Sequence, residues 1–216
     1  MNDKIKNIIY EIFAYECICC GRAVDKNNGI FCKDCENALI FSDTSNDEII
    51  SALNYKSNST RSLILTMKDN KIRALYSYSA KLIAEELSKR KTENIEEYYI
   101  TFAPRNIKSL LKKRFDQSYE IGKCLSYELF GTRKKCVKLF RGSMFSKEQK
   151  TLDYKERQEN AGKNIKLLPF VKVPEKLIII DDVTTTGATL YTLKDIATKH
   201  GAKQCILCSV AKQNLE

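Results

Sequence analysis

No stretch of this chain constrains its fold more than Leu177-Ile-Ile-Ile-Asp-Asp-Val-Thr-Thr-Thr-Gly-Ala-Thr-Leu190. The run Lys176–Ile180 is apolar without polar alternation, the pattern of a central parallel strand covered on both faces. Parallel strands need crossover connections, usually helical. Thr189–His200 supplies one, with apolar residues at helical spacing and Gly201 as its C-cap. The unit is therefore a buried strand, a hydroxyl-rich turn and a helix.

The same alternation begins near residue 46. Strands are predicted at Ile49–Tyr55, Tyr98–Ala103, Val137–Phe140 and Lys203–Val210, and helices at Thr60–Lys68, Ile72–Arg90 and Phe115–Phe130. This order predicts an α/β fold, a mostly parallel sheet flanked by helices. Residues 1–16 read as an amphipathic helix and 17–45 as a cysteine-rich segment. Together, 1–45 form a small N-terminal module ahead of a main domain at 46–216. The 43% hydrophobic content is that of a globular protein, and no apolar run is long enough to cross a bilayer. Ile5, Ile8, Ile9, Ile12 and Phe13 recur among charges, unlike a secretory signal. The expectation is a soluble, cytoplasmic protein with no membrane insertion.

Nine cysteines are many for a reducing compartment, where disulfides are rare. Cys17 and Cys20, and Cys32 and Cys35, form two C-x-x-C pairs with eleven residues between them. Two such knuckles can place four thiolates around one tetrahedral Zn²⁺, with Asn27-Asn28-Gly29 turning the intervening hairpin. A closed four-sulfur site is structural, because it leaves no position for a reactant. Cys19 is left over. Cys205 and Cys208 point to opposite faces of a strand and read as core, as do Cys124 and Cys136. His200, in a last helical turn, is assigned no chemistry.

Backbone N–H groups of Thr184, Thr185, Thr186 and Gly187, at a helix N-terminus, suit a phosphate. Gly187 permits close backbone approach, and the Thr184–Thr186 and Thr189 hydroxyls add donors. Asp181 and Asp182 would repel that phosphate and suit ribose hydroxyls, directly or through Mg²⁺. Phosphate at one end and a diol at the other describe a ribose 5-phosphate. The loop is neither a Walker loop nor a dinucleotide fingerprint, and a plain helix cap accounts for only one of its residues. The net charge of +10 predicts an anionic partner, with solvated surface lysine as an equal alternative.

An acid pair followed by a Thr/Gly loop resembles the signature of phosphoribosyltransferase-fold proteins. With the cysteine module, the chain resembles the ComF family, the ComFC-type competence proteins also described as amidophosphoribosyltransferase-like. Lys113-Arg114-Phe115-Asp116-Gln117-Ser118 is similar to that family's Arg-Gly-Phe-Asn-Gln segment, and Ser146-x-x-Gln149-x-x-Leu152 with Arg157 and Asn160 to its flexible loop. One departure is Phe102-Ala103-Pro104-Arg105, where the family shows Pro-Val-Pro.

The resemblance implies a Mg²⁺-dependent phosphoribosyl pyrophosphate site in a protein that handles single-stranded DNA during natural transformation, beside a helicase or other DNA-uptake proteins. An active phosphoribosyltransferase with an unknown acceptor is the alternative. In that reading Asp181 and Asp182 stabilise the ribosyl cation, while Mg²⁺ together with Arg105, Lys113 or Arg114 neutralises the departing pyrophosphate. A lid over 141–160 would offer Gln149, Lys150 and Arg157. In the DNA reading Lys108, Lys112, Lys113 and Arg114 hold phosphates. A third reading makes the cysteine module only a staple.

Overall fold

A computed structural model of the chain describes residues 16–24, 30–43, 47–69, 72–105, 116–142 and 165–213. The described elements are α1 (Lys33–Asn37), β1 (Ile49–Asn54), α2 (Asn58–Asp69), α3 (Arg73–Lys89), β2 (Tyr99–Phe102), α4 (Gln117–Phe130), β3 (Phe140–Gly142), β4 (Ile165–Leu167), β5 (Lys176–Thr184), α5 (Ala188–Lys199) and β6 (Gln204–Lys212).

Four strands form one parallel sheet in the order β1-β6-β5-β2. The apolar run of β5 lies in its interior, between β2 and β6, as its composition demands. Side chains of β5 alternate between two cores. Ile178 and Ile180 join Leu75, Ile83, Ile121 and Leu125 under α3 and α4, while Leu177 and Ile179 join Leu190, Leu193 and Phe140 under α5 and β3. The sheet is thus flanked by helices on both faces, the α/β class expected.

Two strand expectations changed. Val137–Phe140 is not one strand: Val137 N donates to Ile100 O at 2.8 Å beside an isolated bridge at Cys136, whereas Phe140 begins β3, which pairs antiparallel with β4. β5 continues to Thr184 instead of stopping at Ile180, because β6 pairs with it as far as Thr184–Lys212. Carboxylates tolerated at a strand end explain why composition alone set the boundary too early.

Gly122 brings α4 close to the sheet. A Cβ there would stand 2.9 Å from Cys136 Sγ and 3.3 Å from Ile180 Cδ1. That approach seats the helix over Ile180, the residue just before the acid pair. Among the described residues, no helix is long and apolar enough to cross a membrane.

Candidate ligand turn and metal centre

With β5 extended, the connection to α5 shrinks to Thr185, Thr186 and Gly187. Thr184 is buried and belongs to the ladder, its carbonyl accepting from Gln213 N at 2.8 Å. The phosphate turn expected from Thr184 therefore starts one residue later. Gly187 caps α5 at φ 80°, and a Cβ would meet Ile49 Cδ1 at 2.4 Å. Both the dihedral and the crowding require glycine. Thr186 Oγ1 accepts from Ala188 N at 3.3 Å, and Gly187 O accepts from Tyr191 N at 2.9 Å. No described residue accepts a hydrogen bond from the amides of Thr185, Thr186 or Gly187. Thr185 is exposed, Thr186 and Thr189 half-buried.

Asp181 and Asp182 occupy the C-terminal part of β5, immediately before this turn. Each side chain bends onto the next amide: Asp182 N donates to Asp181 Oδ1 and Val183 N to Asp182 Oδ1, both at 2.8 Å. Lys68, at the end of α2, places Nζ 3.9 Å from Asp182 Oδ2. Burial and the neighbouring Asp182 charge push the Asp181 carboxyl well above its ordinary range, against the opposing Asp182 amide and Lys68. Among the described residues, Lys68 is the cation that an ion pair places against these two adjacent carboxylates. Their hard oxygens suit hydroxyl donors or a divalent cation such as Mg²⁺.

Arg105 follows β2, and Ala103 N donates to Ile180 O at 2.8 Å, so the segment 103–105 runs beside the start of the acid pair. The Arg105 guanidinium donates to Gln117 Oε1, and its amide to Asp116 Oδ2 at 3.5 Å. Asp116 also caps α4, accepting from Tyr119 N at 3.4 Å. Lys68, Asp116 and Gln117 are site residues that the sequence reading did not single out individually. They come from two other elements, α2 and the start of α4, and only the sheet order brings them near β5. The candidate DNA contacts Lys108, Lys112, Lys113 and Arg114, and the lid residues Gln149, Lys150 and Arg157, lie outside the described residues. A cavity of ≈ 530 Å³ opens at the opposite end of the strands, lined by Glu97, Tyr99, Lys172 and Lys176 among others, away from the acid pair.

The second centre is built by the cysteine knuckles. Sulfurs of Cys17, Cys20, Cys32 and Cys35 lie within 4.8 Å of one another, with Cys20 and Cys32 at 3.6 Å. A tetrahedron with metal–sulfur bonds of about 2.3 Å has edges of about 3.8 Å, so the four thiols can hold a metal ion. Gly21, at φ 72°, turns the first knuckle, with its N–H donating to Cys17 O at 2.9 Å. At the second, Glu36 N donates to Cys32 O at 2.9 Å. Arg22 Nε donates to Cys20 Sγ at 3.4 Å and lowers that thiol to about 6. At Cys17 desolvation opposes ionisation, but amide hydrogen bonds from Cys32, Cys20 and Cys19 win and lower it. Cys35 goes the other way, raised by desolvation and its thiol neighbours. A cation bound among them would replace this mutual repulsion with attraction.

Cys19, outside the four-thiol set, accepts from Ser59 Oγ at 3.8 Å. Cys205 packs in the α5-side core and Cys208 in the α3/α4-side core, the opposite faces that their strand spacing implies. His200 Nδ1 lies 2.7 Å from Ile196 O within its own helix.

No family model matches the sequence. The chain is 28% identical over 129 residues to the competence protein ComFC of Streptococcus pneumoniae (strain ATCC BAA-255 / R6), a match covering 57% of this chain and 50% of the relative. It thus spans about half the length of the curated relative it matches. Among solved structures, a hypoxanthine-guanine phosphoribosyltransferase of Bacillus anthracis is 18% identical, with 63% of this chain and 68% of that one covered and a TM-score of 0.35. A hypoxanthine phosphoribosyltransferase of Trypanosoma cruzi is 10% identical, with 70% and 78% covered and the same TM-score of 0.35. The curated relative and the four-thiol cluster agree with the family resemblance carried by the sequence motifs.

Proposed function

We propose that this ComF-type chain binds phosphoribosyl pyrophosphate, or a related sugar phosphate, across the end of β5. The observation that carries this reading is the set of amides at Thr185, Thr186 and Gly187, which have no acceptor among the described residues, next to the acid pair Asp181 and Asp182. The 5-phosphate would accept from those amides and from the Thr186 and Thr189 hydroxyls, favoured by the partial positive charge of the α5 N-terminus. Asp181 and Asp182 would take the ribose hydroxyls, directly or through Mg²⁺. Mg²⁺, when bound, would offset charge on the pyrophosphate.

Calorimetric titration with phosphoribosyl pyrophosphate and Mg²⁺ tests the site. Wild-type protein should bind, and Asp181→Ala/Asp182→Ala should weaken binding by about tenfold or more, the scale of a lost charge-assisted contact. Equal affinity of the two would remove the assignment.

The wider role we infer is single-stranded DNA handling during uptake, with Lys108, Lys112, Lys113 and Arg114 on the phosphates. The relative's description as a competence protein and the net charge of +10 support it. Oligonucleotide affinity should fall steeply with salt, as counterion release requires. No binding at low salt would defeat the DNA role while leaving the sugar-phosphate site standing. Turnover is the second reading, favoured by Arg105 at the edge of the acid pair. It requires release of pyrophosphate in the presence of an acceptor.

For the thiol centre we propose Zn²⁺ in a structural role, since four protein sulfurs complete its preferred coordination. Metal analysis of protein purified without chelator should return about one zinc per chain.

A further inference from the structure

Phe170 is fully exposed, at 106%, and sits at φ 61°. A bulky residue in left-handed backbone is strained, and such strain persists where it serves a site. Solvent surrounds the whole ring, so internal packing does not account for it. Two positions on, exposed Lys172 lines the cavity of ≈ 530 Å³ together with Tyr99, itself 37% exposed. Lys135 Nζ stands over the Tyr99 ring at 5.3 Å and over the Phe130 ring at 4.7 Å, and the Arg133 guanidinium over exposed Tyr127 at 5.9 Å. Leu168 N donates to Leu139 O at 2.8 Å, which sets the Phe170 loop beside Lys138. Residues 133–138 hold four cations and no acid. Among the described residues, Lys134, Lys138 and Lys172 form no ion pair, whereas the two acids of the cavity are already matched, Glu97 by Lys176 at 2.5 Å and Glu175 by Lys203 at 2.9 Å. Positive charge is therefore in surplus here. Lys176 and Asp182 are roughly 20 Å apart along β5, so this surface and the acid pair lie at opposite ends of the sheet.

We propose that this end of the sheet is a binding surface for single-stranded nucleic acid, with bases stacked on Phe170 and Tyr99 and phosphates held by Lys138 and Lys172. Exposed aromatic faces interleaved with uncommitted cations match a flexible polyanion that carries planar bases. A duplex keeps its base faces covered, so the rings act on a single strand alone. The nucleic-acid partner rests on the DNA reading above; the position of the surface does not. It places the strand on elements away from the sugar-phosphate turn, so the two ligands occupy the protein without competing.

The test titrates the full chain into a labelled oligothymidylate, alone and annealed to its complement, and reads fluorescence anisotropy at low salt. Wild-type protein should bind the single strand more tightly than the duplex. Phe170→Gly removes the ring and the strain together, because glycine adopts positive φ freely. That variant should unfold no earlier than wild type, yet lose about fivefold or more in affinity, the low end of one base–aromatic stack. Tyr99→Ala should lose a similar factor; if it does not fold, Phe170→Gly decides alone. Lys138→Ala/Lys172→Ala should flatten the slope of log affinity against log salt by about 1.4, as two phosphate contacts on a single strand require. Asp181→Ala/Asp182→Ala should bind the strand as tightly as wild type. Unchanged affinity in Phe170→Gly overturns the surface, as does equal binding of the duplex. A loss of affinity in the acid-pair variant moves the strand to the turn and overturns it too. Wild-type protein that ignores the oligonucleotide removes the DNA reading and the surface together, whereas binding that survives every substitution here removes the surface only.

Discussion

The ring of Phe31 meets that of Tyr78 edge-on, with centroids 5.8 Å apart and planes at 64°. Phe31 belongs to the cysteine module and Tyr78 to α3, so the metal centre is anchored in the main core. Cys17, Phe31 and Leu39 are all buried in the same cluster as Ile83 and Ile180. The sulfur of Cys19 and the carbonyl of Ala38 hold Ser59 and Ser57 at the start of α2.

Removal of the metal should consequently do more than melt residues 17–40. Structural zinc contributes on the order of 10–16 kcal/mol to small modules. Its loss here exposes part of the α3-side core as well. Chelation should lower the melting temperature of the whole domain and speed hydrogen exchange in α2. Exchange changes confined to the module would contradict this coupling.

Gly187→Ala forces a side chain into left-handed backbone and against Ile49 Cδ1. The combined strain should cost about 1–3 kcal/mol, read by denaturant unfolding. Sugar-phosphate affinity should fall too, as the amides beside it shift. A variant that is as stable as wild type would mean that the turn relaxes freely.

Asp181 yields a prediction about pH. Its folded value is raised above the ordinary 3.8 by burial and by Asp182. The associated stabilisation is present in full at acid pH below that value and is lost as pH rises through the folded one. Without ligand, Asp181→Asn should therefore be more stable than wild type at neutral pH and show a smaller pH slope through the acid range. A variant less stable than wild type at pH 7 would reverse the sign.

Gly122→Ala sets a methyl 2.9 Å from Cys136 Sγ. We expect a loss of about 1–3 kcal/mol from overpacking. Adding Cys136→Ala should recover part of it, because the clashing sulfur is gone. A double-mutant cycle with no coupling would show that α4 moves instead.

Much of this molecule is legible in its residues. The unbroken apolar run of β5 and the helical spacing of Leu75, Tyr78, Leu82 and Ile83 placed those elements to within a few residues. The C-x-x-C spacing located the thiol cluster. What escaped was decided by pairing at a distance. The end of β5 is set by β6 and not by its own acids. β4, three residues long, carries too short a pattern to announce a strand. Lys68 and Gln117 look like ordinary helix residues until the crossovers carry α2 and α4 to the end of β5. Their roles depend on topology, which no local period encodes.

With β5 paired as far as Thr184 and α5 starting at Ala188, three residues make the whole connection. Such a short span, pinned at Gly187 by its neighbours, has few alternative shapes to sample. A phosphate bound there, as proposed, would meet donors that are already in position. Binding then forfeits little conformational freedom, and selectivity can come from a rigid mould.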